Sequence, residues 1–198
     1  MTEAASSKRI VTVPNLISFV RLLSIPVFWW VLLVDDNVAL AAWLIFIVGW
    51  TDWVDGYLAR RLHQVSDLGK ILDPVADRLL IASALLGGLI VGVLPVWFGW
   101  GLIVREVLVG ILALDLAARG GGTIEVRFTG KTATFLLYGA IPAFYLAAAD
   151  VMGALMRPVA WVLGVAGLVL YWYVAVLYFG DSRDKLAALE SSPDAEEV

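Results

Sequence analysis

The chain has 198 residues, of which 61% are apolar and 16% charged, and its mean hydropathy is +0.88. A water-soluble globular domain does not carry that composition, so an integral membrane protein is the expected class. Cys 0 and His 1 exclude disulfides, thiol nucleophiles and a histidine cluster for zinc or iron, and a net charge of -4 leaves no basic stripe for nucleic acid.

Taken in chain order at roughly 20 residues per crossing, the apolar runs predict six spans, near 16–34, 38–58, 72–93, 96–117, 132–149 and 158–179. Lys8 and Arg9 precede the first run much as in a signal peptide, but the run is too long and has no small-residue cleavage site, so it reads as a retained span. Of the 14 Lys and Arg, Arg21 and Arg105 lie within spans and Arg157 alone falls on the outer side. The rest gather on the N-terminal side, which predicts cytoplasmic termini. Connections near 35–37 and 93–96 are short, so neighbouring spans are expected as antiparallel hairpins. The predicted fold is all-α: a polytopic membrane domain of six transmembrane helices over 1–180, then a frayed acidic cytoplasmic tail over 181–198. Trp29, Trp30 and Trp100 suit the outer aqueous boundary, and His63 reads as an ordinary loop histidine.

The informative stretch is 51–78, TDWVDGYLARRLHQVSDLGKILDPVADR. Asp52 and Asp55 stand three apart at the end of the second predicted span, and Asp73 and Asp77 four apart at the start of the third, so each pair shares a helix face. A connection of about ten residues would let the two faces meet. Four like charges in close quarters repel, and burial raises the cost of each, so a cation belongs between them. Hard divalent ions such as Mg²⁺ or Mn²⁺ suit such oxygens, and two of them bridging a diphosphate would form a two-metal phosphoryl-transfer site. Gly56, Gly69 and Ala59 offer close approach to the backbone, and Arg60 adds a cation suited to phosphate.

These positions, spaced D-x2-D-G-x2-A-R-x8-G-x3-D-x3-D, resemble the signature of the CDP-alcohol phosphatidyltransferase family. Pro14-Asn15 opening the first span, Leu72-Asp73-Pro74, Arg105-Glu106 and Gly130-Lys131 look like its bacterial glycerol-phospholipid branch. The resemblance implies that Asp52, Asp55, Asp73 and Asp77 ligate the metal pair and that Asp77 is also the general base on the acceptor hydroxyl, with Asp73 catalytic beside it. It implies that Asn15, Gly56, Ala59, Arg60 and Gly69 bind the CDP-lipid, and that Arg105, Arg127 and Lys131 hold the acceptor's phosphate. The acceptor alcohol would attack the lipid phosphorus of CDP-diacylglycerol, and CMP would leave. Homodimerisation and a place in the bacterial cell membrane, with the site facing the cytoplasm, follow from the same likeness.

Around Lys131, VRFTGKTATFLLYGAIPAF together with Tyr171-Trp172-Tyr173 resembles actinobacterial proteins related to cardiolipin synthases, whose acceptor is phosphatidylglycerol. That acceptor is the favoured expectation. The same branch includes phosphatidylglycerophosphate synthases, which use glycerol 3-phosphate. Two other classes stay in view. A divalent-cation transporter would also hold intramembrane carboxylates, but should spread them through the bilayer depth instead of gathering them at one end. A scaffolding protein would leave the paired glycines and Arg60 unexplained. Blander roles exist for single residues: Lys131 as a snorkelling cation, Arg105 and Arg21 as buried partners of other helices.

Overall fold

The computed structural model describes residues 13–62, 67–122 and 127–190, without the side chains at 13–16, 50, 52–62, 67–71, 73, 74 and 188–190. Within them the chain is all-α, with six helices and no strand: α1 (Val13–Leu33), α2 (Val38–Leu62), α3 (Asp67–Ile90), α4 (Val96–Ala118), α5 (Phe128–Ala148) and α6 (Gly153–Glu190).

On α1, Ser18, Arg21 and Ser24 are buried at three-residue spacing, and Phe28, Val31 and Leu32 continue that face. Phe19, Val20, Leu23, Val27 and Trp30 point outward and are exposed. A buried arginine between two serines with large apolar side chains facing outward is not the pattern of a water-soluble helix and suits one that faces lipid. The Ser24 hydroxyl donates to the Arg21 carbonyl at 2.6 Å, which satisfies it without a partner helix. At the turn into α2, Asp36 takes φ 49°, and the Asn37 side-chain oxygen accepts from the Leu40 N–H at 2.9 Å, capping the helix.

Two expected boundaries move. The ten-residue connection between the carboxylate pairs is largely helical, because α2 continues to Leu62 and α3 begins at Asp67; His63 lies outside the described residues. The segment expected to fray after Gly180 is helical to Glu190. Among the described residues one helix, over Gly153–Ala187, is long and apolar enough to cross a membrane on its own, while Ile17–Leu33 and Val38–Gly49 are shorter apolar stretches.

The helices group into two compact units that divide α5 between Ala140 and Ile141 and α6 between Ala160 and Trp161. In the first unit α1 packs on α2 and α3, and α2 on α3. α1 and α3 approach closely at Gly87, where a Cβ would stand 2.7 Å from Leu32 Cδ2 and 3.1 Å from the Phe28 ring. The second half of α5 is buried on all sides, and its Tyr145 hydroxyl donates to the Ala84 carbonyl at 2.7 Å.

In the second unit the contacts fix direction. On α5 and α6, Gly130 faces Val174 and Tyr178 while Gly139 faces Leu163, so the two run antiparallel. Trp97 stacks on Trp161 with centroids 5.9 Å apart, and the Trp172 indole N–H donates to the Gly101 carbonyl at 3.1 Å, so α4 and α6 run parallel. This alternation is the up-down order expected of successive spans.

Candidate active site

The carboxylate motif falls on the paired helices α2 and α3 of the first unit. Asp52, Asp55, Gly56, Ala59 and Arg60 occupy the last three turns of α2; Gly69, Asp73 and Asp77 occupy the first three of α3. At 3.6 residues per turn, each aspartate pair lies along one side of its helix. Except for Asp77, the side chains of these residues lie outside the described ones, as does that of Asn15 in the first turn of α1.

Asp77 is half-buried, and its Oδ1 is shielded from solvent. A buried carboxylate oxygen needs a compensating cation or hydrogen bond. Among the described residues no three His, Asp or Glu side chains converge on one point. By chemistry, the donor set of the motif fits a hard divalent cation, since it is all carboxylate, without sulfur or imidazole.

The three cations expected at the acceptor phosphate fall in the second unit, in different surroundings. Arg105 sits in the middle of α4 and is buried. Its guanidinium carbon lies 3.6 Å above the Tyr171 ring of α6. Its Nε donates to the Tyr171 carbonyl at 3.3 Å and its Nη1 to Glu106 Oε2 at 3.1 Å. The Tyr171 hydroxyl donates to the same Glu106 oxygen at 2.6 Å, which closes a ring of contacts joining α4 to α6. Arg105 is thus committed at two nitrogens and one face.

Arg127 stands just before α5 and makes the fork pair of the unit: Nη2 lies 2.8 Å from both Asp181 oxygens and Nε 3.3 Å from Oδ2. Its backbone N–H donates to the Tyr178 hydroxyl at 3.4 Å. The hydrogen bonds to Asp181, and then that carboxylate's charge, push the Arg127 pKa further up, so the guanidinium keeps its proton. Lys131 is exposed, one turn into α5.

Asp181 and Tyr178 were not legible as partners of Arg127, being 54 and 51 residues away in sequence. The Tyr171-Trp172-Tyr173 run stood out in the sequence, but nothing local ties it to Arg105. A general signal did exist for Arg105, since an ionisable residue inside a span needs a partner.

Comparison with known proteins bears on the motif as a whole. The family model for CDP-alcohol phosphatidyltransferase matches residues 11–179. A cardiolipin synthase (CMP-forming) of Streptomyces coelicolor is 36% identical over 176 residues, covering 86% of this chain and 82% of the relative. A CDP-diacylglycerol–glycerol-3-phosphate 3-phosphatidyltransferase of Bacillus subtilis is 35% identical over 147 residues, covering 67% of this chain and 76% of the relative. A protein of the same name from Pseudomonas fluorescens is 48% identical over 75 residues, 37% of this chain and 38% of the relative. Both aspartate pairs, the glycines and Arg60 all fall inside the matched stretch. With the match running from ahead of α1 into the C-terminal part of α6, this chain is a member of the CDP-alcohol phosphatidyltransferase family, enzymes that release CMP.

Proposed function

We propose that this chain transfers the phosphatidyl group of CDP-diacylglycerol to a hydroxyl of phosphatidylglycerol, giving cardiolipin and CMP. The observation that carries the reading is the packing of α2 on α3, the two helices that between them hold every position of the eight-residue signature. The phosphatidylglycerol acceptor is supported by the relative named as a cardiolipin synthase, which aligns with 86% of the chain. The relative from Bacillus subtilis, named for glycerol 3-phosphate, favours that acceptor as the second reading.

In this proposal Asp52, Asp55, Asp73 and Asp77 hold one or two Mg²⁺ or Mn²⁺ ions. When bound, such ions neutralise the diphosphate and stabilise charge on the departing phosphate. Asn15 and Arg60 hold the CDP-lipid, and Gly56, Ala59 and Gly69 leave room for it. Asp77 takes the proton of the acceptor hydroxyl as its oxygen forms a bond to the lipid phosphorus. The phosphorus–oxygen bond to CMP breaks in the same displacement, and no covalent intermediate on the protein is required. Arg127 and Lys131 take the acceptor's phosphate. Arg105 adds to that hold only what its contacts with Tyr171 and Glu106 leave available.

The same proposal places residues 1–180 in the bacterial cell membrane as six spans with both termini cytoplasmic, 181–198 as the acidic segment beyond them, and two copies as the working unit. It is tested by incubating purified protein with CDP-diacylglycerol and Mg²⁺ or Mn²⁺, offering phosphatidylglycerol and glycerol 3-phosphate separately, and weighing the lipid product. Cardiolipin with CMP supports the first acceptor, and phosphatidylglycerophosphate would replace it with the second. Absence of CMP release with either alcohol would refute both acceptors and leave this family member's acceptor to be sought among other alcohols.

A further inference from the structure

Arg127 and Asp181 form an exposed, forked ion pair at the point where the N-terminus of α5 meets α6. The guanidinium edge that matches a carboxylate also matches two oxygens of a phosphate, and a single edge cannot serve both at once. Nη2 and Nε are the nitrogens that Asp181 engages. The pair is held in register by two neighbours: the Tyr178 hydroxyl accepts from the Arg127 backbone N–H, and Gly130, one turn on, lies 3.4 Å from that hydroxyl measured from its ideal Cβ. Arg127 therefore keeps its backbone anchored to α6 even when its side chain lets go of Asp181. Asp181 itself lies in the helical extension of α6 beyond Gly180, which brings a carboxylate to a cation that the proposed function assigns to the acceptor.

We propose that Asp181 is an internal competitor for the acceptor's phosphate: it occupies the Nε–Nη2 edge of Arg127 in the resting enzyme, is displaced from that edge by the incoming phosphate, and so sets acceptor affinity. The inference rests on Arg127 as an acceptor contact. Asp181 acts through Arg127 and is a positioning residue. Breaking the Arg127–Asp181 pair costs every acceptor something, so both a phosphate diester (phosphatidylglycerol) and a monoester (glycerol 3-phosphate) feel it. The monoester carries more negative charge, and the displaced carboxylate repels it more strongly.

The test measures acceptor KM, donor KM and kcat for Asp181→Asn, Asp181→Ala and Arg127→Gln, each in the full chain, with phosphatidylglycerol and with glycerol 3-phosphate. The expected result is a fall in acceptor KM of about two- to five-fold for both Asp181 variants, the worth of an exposed ion pair, with kcat and donor KM unchanged. Where both acceptors react, the fall is at least as large with glycerol 3-phosphate. Arg127→Gln raises acceptor KM, and adding Asp181→Asn to it lowers KM by less than Asp181→Asn does alone. A merely structural Asp181 would move KM upward or not at all. That outcome, with Arg127→Gln still raising acceptor KM, overturns the competitor and leaves Arg127 in its role. An acceptor KM unmoved by Arg127→Gln overturns the reading of Arg127 and the competitor with it.

Discussion

Replacing Arg105 by Met keeps much of the aliphatic stem and deletes the charge. The structure gives the size of the loss. The Arg105 side chain is 6% exposed and that of its partner Glu106 48%, so their ion pair is partly solvated and counts for only about 0.5–1 kcal/mol. The guanidinium over the Tyr171 ring at 3.6 Å is largely desolvated and contributes about 1–2 kcal/mol. The Nε bond to the Tyr171 carbonyl is long at 3.3 Å and adds about 0.5–1 kcal/mol. Arg105→Met should therefore cost about 3 kcal/mol of stability. Tyr171→Phe, which keeps the ring and loses only the hydroxyl bond to Glu106, should cost about 1 kcal/mol. Tyr171→Leu removes the ring as well, and a double-mutant cycle between it and Arg105→Met should show about 1–2 kcal/mol of coupling. Equilibrium unfolding in mixed micelles reads all three. An Arg105→Met cost below about 1 kcal/mol, or no coupling to Tyr171, would refute a structural clamp and point to Arg105 as chiefly a ligand contact.

Further expectations follow from single contacts. Asp77→Asn should lower turnover by about 10²–10⁴-fold while donor binding, followed by CDP-diacylglycerol titration, is largely kept; near-normal CMP release would remove Asp77 as the base. Asp52→Asn and Asp73→Asn should instead first raise the Mg²⁺ or Mn²⁺ concentration needed for half-maximal rate, which a metal titration reads directly. Gly87→Ala sets a methyl 2.7 Å from Leu32 Cδ2 and against the Phe28 ring; it should destabilise by about 1 kcal/mol after the gain in helix propensity is counted. Gly110→Ala, whose Cβ meets nothing within 4 Å, should stabilise by about 0.5–1 kcal/mol, and thermal unfolding of the pair separates packing from propensity. Tyr145→Phe removes the buried bond to the Ala84 carbonyl and should cost about 1 kcal/mol in the same assay.

The helices were legible because apolar runs of spanning length and short polar breaks are local properties, and 35–37 and 93–96 do separate α1 from α2 and α3 from α4. The ends of α2 and α3 were not, because ARRL and DLGK are polar segments whose helicity has no apolar periodicity to announce it. The same holds for 181–190, where charged residues read as a solvated tail while Asp181 in fact pairs with Arg127. The motif was legible as a spacing, and the packing of α2 on α3 agrees with the hairpin drawn from it. The Arg105 cluster was half-legible: burial of a charge demands a partner, but a partner 66 residues away is a property of the fold and not of the neighbourhood.

α6 meets its neighbours at two sets of polar contacts on one continuous helix: Tyr171 and Trp172 toward α4, Tyr178 and Asp181 toward the start of α5. From Tyr171 to Asp181 is a rise of about 15 Å and nearly three turns at ordinary helical pitch. A helix transmits twist with little give, so these attachments cannot be tuned one at a time. Rolling α6 to reseat Arg105 would swing Asp181 away from Arg127, and sliding it by one residue would advance both registers together. In mechanical terms α6 is a shaft keyed at two stations, and the phase between its keys is written in the number of residues that separates them.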